Sequence, residues 1–512
     1  MSSRLSETFS SADGLYTYMN VSNTHRKARY CSIFALSTLS GALSLLDPSL
    51  ARGETTKKFE PGQLREDFQI ARHSLEEGHP GLYRHTKKVE LDRIFDEADK
   101  SLNRPMDFYE FYRIVAPSIA AIKCGHAGVS LSPDIRKETE LLPWLPFDVK
   151  VLESKAYIFR DFAKKGTSAG MEIQSINGVH VAQIVSTMLG ASMKDGDVQS
   201  TRQRDISGDF GLNLIVLLGL RAPYEVVLAT SGAQQTEKVH VAGLKHEDKI
   251  KLSKSLYPQD EGNKEFGELK FLDDGQIARL TYSSFGENVE EGRAFMQRSF
   301  ESIQAKGSRA LILDVRGNGG GESELGGILL SHLMKEPFNY YDDIIITKNS
   351  GMRYSFAKYA DDGREYIVPE GLAELRADGK FHQIADSLLA LQQPSKPTFT
   401  GPVYILIDGG CLSTTAEFLT EVHIHHRATF IGEESAGCYY GPTSPTVRIT
   451  LPNTKLGIFI PLLAGYMSVG GQHEHDAARG IIPDYPVKRS IADLLARVDR
   501  DLDLALELAR KR

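Results

Sequence analysis

The strongest constraint on the fold is a set of short, almost wholly apolar segments in the second half of the chain. Residues 310–315 read Ala-Leu-Ile-Leu-Asp-Val, and residues 403–407 and 428–431 repeat this style. Such runs are typical of strands buried on both faces of a parallel sheet. An amphipathic segment over residues 288–305 precedes the first run and predicts a helix. Alternating strands and helices therefore predict an α/β core over residues 265–490.

Composition narrows the class of protein. The chain has 512 residues, of which 41% are hydrophobic and 25% are charged, as in soluble globular proteins. Lys and Arg number 60 against 67 Asp and Glu, and the formal net charge of −7 argues against a nucleic-acid partner. Four cysteines are too few for a disulfide framework in a chain of this length. The chain also lacks a C-x-x-C pair that would indicate a zinc site.

The first fifty residues have the order of a secretory signal. A basic cluster is followed by an apolar run over residues 31–46 and by a small-x-small triplet at residues 49–51. The run is short for a membrane span, although a short anchor or a buried helix is the alternative. The basic cluster lies far from the first residue, so residues 1–18 could be a misassigned start before Met19. We expect residues 1–53 to be removed, leaving an exported chain in the periplasm or outside the cell, with no stable membrane insertion.

Two regions precede the core. Residues 54–135 have helical spacing and end in Gly125-His126-Ala127-Gly128, where two glycines suggest a tight turn. Residues 145–235 alternate apolar and polar positions, and Asn177-Gly178 between apolar runs predicts a hairpin. The pattern A-G-x-x-I-x-x-I-N-G in this second region resembles a PDZ module, with another small β-rich insert as the alternative. Residues 491–512 predict a C-terminal helix.

Two of the apolar strands run directly into glycine-rich turns. The first turn contains Asn318-Gly319-Gly320-Gly321, and the second contains Gly409-Gly410 followed by Ser413. Glycines allow a sharp turn whose N–H groups can bind a phosphate or an oxyanion. The phosphate interpretation lacks both G-K-[ST] and G-x-G-x-x-G. Ser413 would be an ordinary helix cap, or a nucleophile placed where the helix dipole stabilises negative charge.

Together the two turns resemble the serine peptidase family of C-terminal-processing (tail-specific) proteases, tricorn cores and retinoid-binding-protein repeats. The family pattern L-I-x-D-x-R-x-N-x-G-G is similar to residues 311–320. Phe418 follows Ser413 by five residues, and an R-A-x-x-x-G-E segment starts fourteen residues after Ser413, as in the family. Residues 480–484, Gly-Ile-Ile-Pro-Asp, resemble its G-V-x-P-D strand. With the cap and the insert, the resemblance covers about residues 60–490.

The resemblance implies a crotonase-like ββα-type protease core with an N-terminal helical cap and a PDZ-like insert. It implies a serine peptidase in which Ser413 attacks the scissile carbonyl. The oxyanion would be held by the backbone N–H groups of Gly320, Gly319 and Thr414. Peptides or unfolded proteins would be the substrates, which the PDZ-like region would position or gate, and no cofactor or metal would be needed.

The general base departs from the tail-specific branch of the family. That branch has a lysine twenty-five residues after the serine, where this chain has Cys438. The tricorn-like branch uses a histidine before its PDZ module, and His126 matches that place. Its acid precedes the G-V-x-P-D strand; the matching position here is Ala477, and the nearby acids Glu474 and Asp476 are the candidates. Should His126 not be the base, it would be sought among His473, His475 and Glu433.

Two other functions fit parts of the sequence. One is a catalytically silent module of the same fold that binds a peptide or a hydrophobic ligand, against which an intact Ser413 and His126 argue. The other is an acyl-transfer enzyme of the crotonase type, which also builds oxyanion sites from strand-to-glycine turns. The signal segment and the PDZ-like insert argue against that function, because acyl-CoA substrates are cytosolic.

Overall fold

A computed structural model describes residues 57–163, 166–230, 236–257, 267–286, 288–469 and 478–511. The signal segment predicted for residues 1–53 lies outside these ranges. Within them, no helix is both long and apolar enough to cross a membrane.

Thirteen α-helices are formed by the residues that the structure describes. In chain order they are α1 Pro61–Gly78, α2 Lys88–Ser101, α3 Phe108–Ala120, α4 Pro133–Leu141, α5 Val181–Ala191, α6 Ser200–Gly208, α7 Phe210–Val216, α8 His246–Leu256, α9 Val289–Lys306, α10 Ser323–Ser331, α11 Thr414–Ile424, α12 Ile491–Ala496 and α13 Arg500–Arg510. Three short 3₁₀ turns cover Asp273–Gly275, Ser355–Tyr359 and Ser387–Leu389.

The strands that accompany these helices form four sheets. They are β1 Gly128–Ser130, β2 Phe147–Leu152, β3 Lys155–Asp161, β4 Glu172–Ile176, β5 Val179–His180, β6 Tyr224–Ala229, β7 Thr236–Val241, β8 Gly267–Leu272, β9 Ile277–Tyr282, β10 Ala310–Asp314, β11 Tyr341–Ile346, β12 Ala373–Leu375, β13 Phe381–Gln383, β14 Val403–Ile407, β15 Thr429–Gly432, β16 Thr446–Thr450, β17 Gly457–Pro461, β18 Leu463–Met467 and β19 Tyr485–Pro486.

The central sheet confirms the predicted α/β core. Its order is β19-β15-β14-β10-β9-β8, and every pair is parallel except β8 with β9. All residues of β10 and β14 are buried, as their apolar sequences predict. These two strands are neighbours, with Leu311 opposite Val403. Their carboxyl ends therefore meet at one edge of the sheet, and both glycine-rich turns begin there.

A separate antiparallel sheet forms the β-rich region. Its order is β2-β3-β4-β6-β7, and β5 pairs with β4 through the predicted hairpin. Asn177 and Gly178 have φ of 49° and 78°, as a tight two-residue turn requires. The pairing of β7 with β6 carries this sheet to Val241.

One edge of the antiparallel sheet is covered from within the chain. Strand β2 pairs only with β3 among the described strands, and helix α6 packs along its other side. The hydroxyl of Ser207 in α6 accepts a hydrogen bond of 2.9 Å from the Val151 N–H of β2. This edge is where an extended peptide could add a strand, so such docking requires displacement of α6.

Two smaller sheets connect the cap to the core. Strand β1, directly after His126, pairs with β17 in the order β1-β17-β16. Helix α1 is tied to the turn before β17, because the buried Asp67 accepts hydrogen bonds from the backbone and hydroxyl of Thr454. The fourth sheet has the order β12-β13-β11-β18, and its short strands β12 and β13 lie within residues 352–400. These contacts attach the cap to the part of the core that contains β17.

The C-terminal helix docks on the motif strand through a buried charge network. Arg316, two residues after the end of β10, forms hydrogen bonds of 2.7 Å with both Asp314 and Asp499, and one of 3.0 Å with Asp501. Asp501 is fully buried. Loss of Arg316 would leave these buried carboxylates with one cation fewer, which is destabilising, so Arg316 has a structural role. The predicted single helix over residues 491–512 is instead two helices, because Arg497 takes a left-handed conformation with φ of 55°.

Candidate active site

Ser413 lies at the start of helix α11 in a backbone conformation that favours glycine. Its φ is 58° and its ψ is −129°, and its side chain makes no capping hydrogen bond. The residue is 9% exposed. Such conformations cost about 1–3 kcal/mol and persist only where the surrounding structure enforces them. The interpretation of Ser413 as an ordinary helix cap therefore has no hydrogen bond to support it.

The first glycine turn packs directly against Ser413. A Cβ atom on Gly320 would lie 2.7 Å from the Ser413 Cβ, and the φ of Gly320 is 96°, so only glycine fits. Two hydrogen bonds link the turns: the Leu412 N–H donates to the Asn318 carbonyl at 3.2 Å, and the Thr414 hydroxyl donates to the Gly321 carbonyl at 2.7 Å. The sequence-predicted residues of the two turns are thus brought together.

The amides near Ser413 differ in whether they are already engaged. The Gly320 N–H donates to the side-chain oxygen of Asn318 at 2.9 Å. The Gly319 and Thr414 N–H groups donate no hydrogen bond to any described residue. The Thr414 amide also lies in the first turn of α11, where the helix dipole favours negative charge. These are the features of an oxyanion-binding site.

His126 is held by a loop from the β-rich region, residues 192–199. The glycines on either side of it do not take left-handed conformations; they make room for this loop. A Cβ atom on Gly125 would lie 3.1 Å from Asp195, and one on Gly128 would overlap the side chain of Met193. The Gly196 N–H donates to the Lys123 carbonyl at 2.9 Å, which completes the clamp.

Asp195 is the acid that this loop places beside His126. It is 5% exposed, and its Oδ1 accepts a hydrogen bond of 2.5 Å from the Gly125 N–H. Its Oδ2 and the Nδ1 of His126 are both shielded from solvent, and neither has a hydrogen-bond partner among the described residues. A carboxylate oxygen of Asp195, a ring nitrogen of His126 and the Cys124 sulfur all lie within 4.8 Å of one another.

The same acid also lies close to the nucleophile turn. A Cβ atom on Gly437 would be 3.7 Å from the Ser413 nitrogen and 3.8 Å from the Asp195 Oδ2. Only the space of one small side chain therefore separates the acid from the segment that carries Ser413. Among the described residues no hydrogen bond joins His126 to Ser413.

Burial and neighbouring charges both act on the pKa values of three cap histidines, His126, His85 and His79. Burial lowers the pKa of His126, and the charge of Asp195 opposes that shift. Burial lowers the pKa of His85 too, again opposed by Asp195. Burial lowers the pKa of His79 to about 3, with the charges of Arg84 and His126 adding to the effect. His126 is therefore neutral at pH 7 and able to accept a proton.

The position expected for lysine in the tail-specific branch is occupied by a buried thiol. Cys438 is 4% exposed, and burial, together with the charge of Asp195, raises its pKa. Cys411 is likewise buried, and both cysteines carry free thiols. A neutral thiol of raised pKa is a poor general base.

Helix α11 carries two further buried acids on its inner side. Burial raises the pKa of Glu417 to about 7, although hydroxyl donors that include Ser323 and Tyr340 oppose the shift. Burial raises the pKa of Glu421 to about 9, opposed by the backbone N–H of Ser468. Both carboxyls hold protons more tightly than an exposed glutamate does.

Four of the predicted candidates lie outside the described residues; they are Glu474, Asp476, His473 and His475. Glu433 is described; it follows β15, and burial raises its pKa. Asp195 was missed by sequence reasoning because it lies in a polar segment of the β-rich region with no recognisable motif. The two glycines that flank His126 were the available signal that a second segment approaches closely.

Comparisons with known proteins agree with this geometry. Residues 276–487 match the model of peptidase family S41. No curated protein matches the chain. Among solved structures, a CPAF mutant is similar with a TM-score of 0.60 and 13% identity, over 88% of this chain and 97% of that chain.

Mature CPAF complexed with lactacystin is similar with a TM-score of 0.58 and 14% identity, over 88% of this chain and 99% of that chain. At these identities the likeness shows a shared fold. The family match covers the strands and turns that carry Ser413. Residues 276–487 are therefore similar to peptidase family S41, and the comparisons support a serine peptidase of the C-terminal-processing kind.

Proposed function

We propose that this peptidase hydrolyses peptide bonds with Ser413 as nucleophile and His126 as general base. The observation that carries the proposal is the conformation of Ser413, strained at a helix N-terminus and pressed against a glycine turn. Strain of this kind concentrates at functional sites. The neutral state of His126 and the closeness of Asp195 to both segments support the assignment of the base.

The reaction follows from these positions. The Ser413 oxygen attacks the scissile carbonyl while His126 takes its proton, and the proton is later returned to the leaving amine. The developing oxyanion is held by the Thr414 amide, with the Gly319 or Gly320 amide as second donor. Water then attacks the acyl-enzyme with His126 again as base, which releases the acid and restores the Ser413 hydroxyl.

Asp195 is proposed as the acid that orients His126. Both have a buried polar atom without a partner, so a small rotation that joined them would satisfy both. Glu474 and Asp476 remain candidates from the family resemblance, and the kcat values of Glu474→Gln and Asp476→Asn are to be compared with that of Asp195→Asn. The β-rich region would thus contribute a loop to the site, in addition to any positioning of substrate.

The substrates are proposed to be peptides or unfolded proteins outside the cytoplasm. The basic and apolar segments before residue 53 support export to the periplasm or beyond the cell. N-terminal sequencing of the native protein is expected to find a chain that starts near Arg52. A cytosolic chain that retains residues 25–50 would contradict export without affecting the peptidase assignment.

The test of the mechanism is active-site labelling. A fluorophosphonate probe is expected to label Ser413 in the purified protein and to fail with the Ser413→Ala variant. The Thr415→Val variant is the matched control, since Thr415 is the neighbouring buried hydroxyl without a partner. An unlabelled protein that still binds peptides would favour the silent binding module instead.

A further inference from the structure

The cluster around His126 contains the ligands of a metal site as well as those of a catalytic site. Cys124, His126 and Asp195 offer a sulfur, a nitrogen and an oxygen, all within 4.8 Å of one another. We propose that these three side chains bind a divalent transition-metal ion of the zinc type and that the bound ion inhibits the peptidase. The proposal deepens the proposed function, because inhibition requires His126 to be the base.

The donor set selects the kind of ion. Sulfur and imidazole ligands suit zinc and its transition-metal neighbours, whereas calcium and magnesium prefer sites made of oxygen. Three protein ligands leave a fourth position open for water, as in three-ligand zinc sites. The chain has no C-x-x-C pair, but zinc ligands can also come from two segments far apart in the chain, as the residues at 124–126 and Asp195 do.

Unsatisfied atoms at the centre of the cluster point to a ligand. Asp195 is 5% exposed, and its Oδ2 has no hydrogen-bond partner among the described residues. The Nδ1 of His126 is shielded from solvent and is equally unpaired. Buried polar atoms in native proteins are nearly always satisfied by protein, water or an ion. A cation between the two atoms would satisfy both.

Burial and the charge of Asp195 raise the pKa of the Cys124 thiol, so it becomes a thiolate ligand only when a cation displaces its proton. The sulfur lies 2.8 Å from the Thr443 hydroxyl and receives the His126 backbone N–H at 3.4 Å. Donors of this kind stabilise a metal-bound thiolate and fix its direction. On binding, the metal–sulfur bond forms, the thiol proton leaves to solvent, and nothing is oxidised or reduced.

Inhibition follows from the identity of the nitrogen ligand. An imidazole that coordinates a cation through one nitrogen either loses its base atom or has its basicity lowered by the charge. The ion would also engage Asp195, the residue proposed to orient the ring. The peptidase would then be held inactive where the metal is available and released where a chelator or a competing ligand removes it.

The test separates metal binding from catalysis. Zn²⁺ alone is titrated by calorimetry into the tag-free Ser413→Ala variant, which cannot turn over but keeps all three ligands. One ion is expected to bind per chain. Cys124→Ala in this background is expected to weaken binding by at least about 100-fold, since even outer partners of a ligand contribute 10–100-fold. Cys411→Ala is the matched control, because Cys411 is an equally buried free thiol outside the cluster.

A second measurement covers the case in which Cys124→Ala fails to fold. Co²⁺ added to the Ser413→Ala variant is expected to give a thiolate-to-cobalt charge-transfer band in the near ultraviolet. Absence of the band, or equal binding by the Cys124→Ala and Cys411→Ala variants, would overturn the proposal.

Activity assays then test the inhibition. Zn²⁺ is expected to suppress hydrolysis in the otherwise unmodified protein, EDTA to restore it, and the Cys411→Ala variant to respond in the same way. Binding without inhibition would overturn the inhibitory role. Probe labelling of Ser413 without metal binding would contradict the metal site and leave the peptidase assignment intact. Metal binding by a chain without hydrolytic activity would support the metal site and contradict the peptidase assignment.

Discussion

The two halves of the proposed active site, the nucleophile half around Ser413 and the base half around His126, are built in different ways. Ser413 belongs to the central sheet, and its turn is held by hydrogen bonds to residues of the adjacent glycine turn. His126 and Asp195 belong to the cap and to the β-rich region, and they are brought together by a loop that packs on glycines. The nucleophile half is thus fixed by neighbouring strands of one sheet. The base half depends on the docking of separate regions.

Because of this difference, substitutions in the two halves are expected to impair catalysis in different ways. Changes at the nucleophile half act on the reacting atoms or on local strain. Changes at the base half act on the protonation and orientation of one imidazole, which tertiary packing controls. Substitutions in each half test this division.

Replacement of Ser413 should give the largest loss. Ser413→Ala and Ser413→Gly are both expected to lower kcat on the order of 10⁶-fold, as loss of a serine nucleophile does. The glycine variant should also unfold at a higher temperature than the alanine variant, because glycine tolerates the φ of 58°. Peptide hydrolysis and thermal unfolding measure the two effects. Equal stability of the variants would show that the strain inferred at Ser413 is absent.

Substitutions in the base half should give the next largest loss of kcat. His126→Ala is expected to cost about 10³-fold or more in kcat, and Asp195→Asn about as much, because an amide cannot hold the imidazole in the required state. Asn can still accept the Gly125 N–H, so the fold should persist. Asp197→Asn is the matched control, since Asp197 lies in the same loop but pairs with Lys123. Equal losses in both loop variants would mean that the loop acts only as packing.

The pH dependence should separate the halves further. Burial lowers the pKa of His126, so the imidazole is neutral above that pKa, and kcat/KM should fall only as the pH drops below about 6.5, the ordinary histidine value. The charge of Asp195 raises this pKa. Asp195→Asn should therefore move the acid limb to lower pH, while Asp197→Asn should leave it in place. An acid limb that moves to higher pH in Asp195→Asn would contradict the assignment of His126 as base.

The sequence indicates the two glycine-rich turns more clearly than the loop around His126, for a physical reason. A strand, a sharp turn and a helix start are local features, so the turn of Gly320 and the turn of Ser413 can each be recognised from neighbouring residues. Asp195 acts across seventy residues from Gly125, and nothing in its own segment records that contact. The PDZ-like resemblance likewise indicated the hairpin at Asn177 but not helix α6, which covers the edge of β2.

The buried acids of helix α11 provide a smaller, pH-dependent test. Burial raises the pKa of Glu421 to about 9, so between pH 4.5 and 9 the folded state binds more protons than the unfolded state. Stability from this group is therefore lost as the pH rises, by up to about 1.4 kcal/mol per pH unit. Glu421→Gln should raise the melting temperature more at pH 8 than at pH 5. The exposed Glu291→Gln is the control, and a constant difference between the two pH values would show that Glu421 is not protonated in the fold.

The smallest effect is expected at the covered edge of the β-rich region, and it tests how that region influences the site. Ser207→Ala leaves the Val151 amide of β2 buried without its 2.9 Å partner, which costs about 1–3 kcal/mol. Since Ser207 contacts neither His126 nor Ser413, kcat should remain close to that of the unsubstituted protein. Ser186→Ala, an exposed serine on helix α5, should change the unfolding free energy by less than about 0.5 kcal/mol. Ser207→Ala could instead reduce hydrolysis as strongly as Asp195→Asn does. In that case the β-rich region would affect catalysis through helix α6 and not through the loop at residues 192–199, and the base half would depend on the edge of β2 that α6 covers.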